Sequence, residues 1–194
     1  MSTDRATDPR VAPFVEAARG YVQRALKLAL DLSPESLAYV DHYAQVTRAA
    51  GPDGKLEDDV LRLAAAALGA YFGEVLIAEH GGAWVIEHGK ESQPETWRLE
   101  LDPPSLSMHP VALAAGALAG AEVPGYDDRI EPALMDAAAL SQLLETSSPV
   151  PAELFYSLTG RHEAIALMRE LLAEIARRRE AGPGPELPDP DSLN

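Results

Sequence analysis

The stretch from about Glu57 to Glu79 constrains this chain more than any other, because it is apolar over so wide an arc that a central helix is its natural form. Leu61, Leu68, Phe72 and Leu76 follow one stripe, and Ala64, Ala67, Tyr71 and Val75 broaden it. Gly69 and Gly73 sit one turn apart within it, each costing about 1 kcal/mol of helix propensity relative to alanine. Close approach of another backbone would offset that cost. The first helix or the neighbouring strands are the expected contacts.

Gly81-Gly82 ends this helix, and the hydrophobic period then changes to two. Trp84 and Ile86 alternate with Val85 and Glu87; Trp97, Leu99 and Leu101 alternate with polar residues; Leu106 and Met108 alternate with Ser105 and Ser107. Three such runs predict an antiparallel meander with one buried face, lidded by the central helix.

Helical spacing recurs elsewhere. It predicts helices from Pro13 to Leu32, from the Ser33-Pro34-Glu35 start signal onward, from Pro110 to Ala119, and from Arg161 to about Glu180. Asp128-Arg129-Ile130-Glu131 reads as a capping box opening a helix to about Glu145, and a short helical piece is expected over 152–157. The fold class is therefore α+β and mainly helical, with six or seven helices around a three-stranded antiparallel meander. Residues 1–9 read as a flexible N-terminus, 10–180 as a single globular domain, and 181–194 as a disordered, proline-rich acidic tail.

Charge and composition narrow the function. The 194 residues carry a formal net charge of −15, from 31 acidic and 16 basic side chains. Such a field repels phosphate backbones, so neither nucleic acid nor an anionic membrane surface is an expected partner, whereas a basic protein is. Apolar runs are broken by charge or glycine, so no membrane span is expected. Cysteine is absent, which removes disulfides, thiolate metal sites and a cysteine nucleophile. The N-terminus has no apolar signal segment, and the expected location is the cytoplasm. Arginine exceeds lysine and alanine runs are frequent, which points to a GC-rich bacterial genome.

Catalytic signatures are missing. There is no Gly-x-Ser-x-Gly elbow, no Walker loop and no Gly-x-Gly-x-x-Gly. His162-Glu163 opens like a zinc-protease helix, but Ala166 stands where the second histidine would be. His80 and His88 flank the first strand, too far apart to share an ion directly, so no metal and no cofactor are expected. The polar residues set most sharply among apolar neighbours are Tyr71 and Glu74. A buried Glu74 requires a partner, which Arg98 or another strand residue could supply. With Trp84 and Trp97 they form the candidate ligand-binding set.

The segment Leu68-Gly69-Ala70-Tyr71-Phe72-Gly73-Glu74-Val75, then Gly81-Gly82-Ala83-Trp84 and His109-Pro110, resembles a pattern found in uncharacterised bacterial domains. These combine a helical Gly-Glu segment, a Gly-Gly-x-Trp turn and a small sheet. The resemblance spans about residues 56–120 and implies a fold element without an activity. Two functions are therefore expected in order: a non-enzymatic interaction protein, adaptor or immunity-type inhibitor; or a small-molecule-binding domain or hydrolase with a pocket near Tyr71 and Glu74. A packed core between the central helix and the meander favours the first, and a pocket there the second.

Overall fold

In the computed structural model, the described residues are 7–102, 106–144 and 151–180. The proposed tail, Ser105 and the end of the helix expected to reach Glu145 lie outside them. Helix α1 spans Ala12–Leu26, α2 Leu37–Ala50, α3 Asp58–His80, α4 Pro110–Ala119, α5 Leu134–Leu144, α6 Ala152–Phe155 and α7 Leu158–Glu180. The strands are β1 Ala83–Val85, β2 Arg98–Leu101, β3 Leu106–Met108 and β4 Ile130–Pro132. The fold is mainly helical α+β, as the hydrophobic periods predict.

The sheet has four strands rather than three, in the order β1-β2-β3-β4 and antiparallel throughout. Its register carries one apolar row, Trp84–Leu99–Met108–Ile130, and beside it a polar row, Ala83–Glu100–Ser107–Glu131. Trp97, Leu99, Leu101, Leu106 and Met108 are fully buried, which is the one-sided pattern that alternation dictates.

The fourth strand occupies the expected capping box. Asp128 receives Arg161 instead of capping a helix, and Asp127 holds Arg129. The following Pro132 disfavours helical backbone at Glu131, so the segment stays extended and pairs with β3. Helix α5 starts only after it, at Leu134.

Helix α1 also ends earlier than its periodicity suggests. Lys27 adopts a left-handed conformation, φ 62°, and its N–H closes on Gln23 O at 3.1 Å. The chain then turns inward so that Leu30 is buried. Leu32 is left-handed too, at φ 66°. Tertiary anchoring overrides propensity here, as described below for Tyr71.

Helix α3 lies at the centre and is buried continuously from Ala64 to Leu76. It packs foremost on α4 and α1, and meets the sheet through Trp84. Both glycines are accounted for by these neighbours. A Cβ at Gly69 would lie 2.5 Å from Val111 Cα and 2.8 Å from Pro110 O, so the backbone of α4 crosses there. A Cβ at Gly73 would enter the indole ring of Trp84. Strand contact is as expected for Gly73; for Gly69 the neighbour is α4.

By length and composition α3 could cross a membrane, contrary to the expectation from its glycines: it has 23 residues and a window of mean hydropathy 1.7. Of that window 72% is buried inside the fold, the position of a core helix.

Candidate functional site

Three of the four residues singled out by sequence meet in space. Trp84 donates Nε1–H to Glu74 Oε1 at 2.8 Å, and Thr7 donates its hydroxyl to Glu74 Oε2 at 2.7 Å. Trp84 and Trp97 stand edge to face, with centroids 6.2 Å apart, and Phe14 makes the next edge contact at 5.1 Å. The Trp97 indole donates to Lys90 O at 3.2 Å. Glu74 is 7% exposed, and each of its oxygens receives an internal donor. Of the expected partners, a strand residue, Trp84 of β1, supplies the bond, whereas Arg98 pairs with Glu100 at 2.6 Å on the strand surface. Side chains on alternate positions of β2 face opposite ways, so Arg98 lies opposite in sense to the buried Leu99.

Tyr71 faces away from this node. Its hydroxyl accepts Leu32 N–H at 2.8 Å and shares a hydrogen bond of 2.6 Å with Ser36 Oγ. It fixes the α1–α2 connection. Burial pushes the phenol above its ordinary range, against the lowering effects of Ser36 and Leu32. Tyr71 and Glu74 therefore serve different contacts.

A cleft of about 300 Å³ opens elsewhere, lined by Asp41, Gln45 and Arg48 of α2 with Gly120, Glu153 and Tyr156. Two of its charged residues, Asp41 and Arg48, serve helix ends. Asp41 accepts the N–H groups of Leu158 at 2.7 Å and Thr159 at 3.0 Å, and Ser157 Oγ accepts that of Gly160 at 2.9 Å. The first three donors of α7 are thereby satisfied. Two turns along α2, Arg48 approaches the closing carbonyls of α4, Ala117 at 3.4 Å and Leu118 at 3.5 Å. Opposite charges on one helix thus meet the complementary ends of two others.

The third locus was not anticipated from the sequence. At the end of α3, Glu79 and His80 meet His162 from the first turns of α7, and their ligand-type atoms all lie within 4.8 Å of one another. Glu79 Oε2 is 2.5 Å from His162 Nε2 and 3.9 Å from His80 Nε2. The imidazoles stack, 5.9 Å between centroids and 16° between planes. His80 and His88 stay apart, with His88 exposed, but His80 meets His162 across the fold, a pairing not expected from the sequence. Among the described residues this is the cluster with the donor types to hold a metal ion.

Comparison with protein-family models, with curated proteins and with solved structures finds no match to this chain.

Proposed function

We propose that this chain is a non-enzymatic interaction protein of a bacterial cytoplasm, an adaptor or immunity-type inhibitor that captures a basic protein partner. The observation that carries the reading is the closed node between α3 and the sheet. Trp84 fills the space left by Gly73, and both Glu74 oxygens are bonded internally, where the competing hydrolase or ligand-binding reading requires an opening.

Surface character supports the same reading. The net charge of −15 draws a basic partner into encounter and repels nucleic acid. At the start of α3, the acids Asp58 and Asp59 adjoin exposed apolar side chains, Val60 at 43% and Leu63 at 57%. An acid-rimmed apolar spot is the composition of a small interface.

Cross-linking in a lysate of the source organism, followed by mass spectrometry at low and high salt, tests the proposal. The expected product is a stoichiometric complex with a basic protein, weakened by salt and by Asp58→Lys with Asp59→Lys. Turnover of a small-molecule substrate that Glu74→Gln abolishes would overturn it.

A further inference from the structure

We propose that Glu79, His80 and His162 form a binding site for one divalent transition-metal ion of the zinc class, joining the end of α3 to the start of α7. Two nitrogens and one oxygen are a borderline donor set suited to zinc and its late first-row neighbours, and unsuited to calcium or magnesium. Among ions of that group, three protein ligands leave a fourth position for water. The side chain of Glu79 is 37% exposed, so solvent reaches that side of the cluster.

The geometry needs little adjustment. Bonds of 2.0–2.1 Å at a tetrahedral centre hold donors about 3.3 Å apart. The pair Glu79–His162 stands closer than this and the pair Glu79–His80 farther, at 2.5 and 3.9 Å. All three donors lie within 4.8 Å of one another, so shifts of about 1–1.5 Å would bring each pair to the tetrahedral spacing. Adjacent helical residues diverge by about 100°, yet Glu79 and His80 converge because α3 ends at His80 and leaves both side chains at its rim.

A second observation points independently to a ligand. His80 Nε2 is buried without a hydrogen-bond partner, and its side chain is only 12% exposed. At 3.9 Å, Glu79 is beyond hydrogen-bond reach. A buried, unbonded nitrogen beside a carboxylate and a second imidazole is one that a bound cation would satisfy.

Charge is compatible. The carboxylates of Glu79 and Asp102 face the guanidinium of Arg169, which comes from α7 two turns after His162. These three groups sum to one negative charge before the ion arrives. The site would act as a clip between two helices that lie far apart in the chain, an assignment independent of the partner-capture reading.

Calorimetric titration of the untagged, metal-stripped full chain with zinc ion alone tests the site, with cobalt ion as a spectroscopic reporter. One equivalent should bind, and bound cobalt should show the visible bands of a tetrahedral centre. Because losing even a second-layer partner of a ligand costs about 10–100-fold in affinity, His80→Ala and His162→Ala should each lose at least that. Glu79→Gln, at a partly exposed position, covers the case in which a histidine variant does not fold, and His88→Ala should bind like the parent. Zinc should raise the parent's melting temperature and leave those of the ligand variants unchanged. Failure to bind saturably, or stoichiometric binding that survives both His162→Ala and Glu79→Gln, would overturn the assignment.

Discussion

The hydroxyl of Tyr71 accepts the backbone N–H of Leu32, a residue held at φ 66°. A side chain from the middle of α3 thereby holds a left-handed turn 39 positions earlier in the chain. Leucine tolerates that backbone poorly, so the turn depends on its anchor.

Tyr71→Phe keeps the ring and removes the anchor. It leaves the Leu32 N–H and the Ser36 hydroxyl each one partner short, so a loss of about 1–3 kcal/mol is expected in equilibrium urea unfolding. A pH series provides a second readout. The native hydroxyl is raised above its unfolded value, so below about pH 10 it is protonated in both states and its contribution is complete. Above that the unfolded chain ionises first, and the contribution is lost as pH climbs through the native value. The parent's urea midpoint should therefore fall more steeply above about pH 10 than that of Tyr71→Phe. Tyr126, raised by burial as well, titrates in both proteins and drops out of the comparison.

Gly69→Ala and Gly73→Ala should both lower the urea midpoint, although each gains about 1 kcal/mol of helix propensity. Overpacking costs about 1–3 kcal/mol and should win. Gly69→Ala should be the worse of the two, because its new methyl meets the main chain of α4, whereas at Gly73 it meets a side chain. A higher midpoint for either would show that its neighbour yields freely.

Trp84→Phe should remove one of the two donors to Glu74 while keeping an aromatic ring near Gly73. Leaving a buried carboxylate oxygen without that donor costs about 1–3 kcal/mol. Trp84→Phe combined with Glu74→Gln should recover part of the loss, because an amide is cheaper to bury than a carboxylate. Thermal unfolding of the three variants in a double-mutant cycle reads the coupling; additive losses would mean the bond contributes nothing.

Asp41→Ala should cost about 0.5–2 kcal/mol, the usual range for a lost helix cap. The local signature is sharper than the global one. Amide exchange at Leu158 and Thr159 should accelerate, while Gly160, bonded to Ser157, changes less. Uniform acceleration along α7 would indicate undocking of the helix instead of loss of its cap.

What could be read from sequence divides by range. The strands Arg98–Leu101 and Leu106–Met108 follow from alternation, and α3 and α4 follow from their apolar arcs and flanking glycines. The loss of close packing space at Gly69 and Gly73 is equally local in origin, since only a near neighbour offsets two glycines in a helix. Fold elements set by distant partners were not legible. Helical spacing starts the last helix at Arg161, yet α7 runs from Leu158 through Gly160 because Asp41 supplies the cap from α2. Strand β4 hid behind a capping-box pattern, although Pro132 was a signal against helix at Glu131. Burial of Glu74 and a donor from the strands were foreseeable, and the alternation of β2 already set Arg98 opposite to the buried Leu99; the second donor, Thr7, lies 67 positions away and was not legible. The meeting of Glu79 and His162, separated by 83 positions, leaves no trace in local spacing.

The last strand has a consequence for self-association. A sheet ordered β1-β2-β3-β4 has two open borders, each a template on which a second molecule could add a strand and begin an aggregate. Here β4 is three residues long, carries the exposed acid Glu131, and finishes on Pro132, which has no N–H to offer a newcomer. Such a border is a poor seed for fibrils, and the molecule obtains it from the same proline that kept β4 from becoming helix. Pro132→Val with Glu131→Thr should speed thioflavin-positive assembly on mild heating; an unchanged lag time would locate the protection elsewhere.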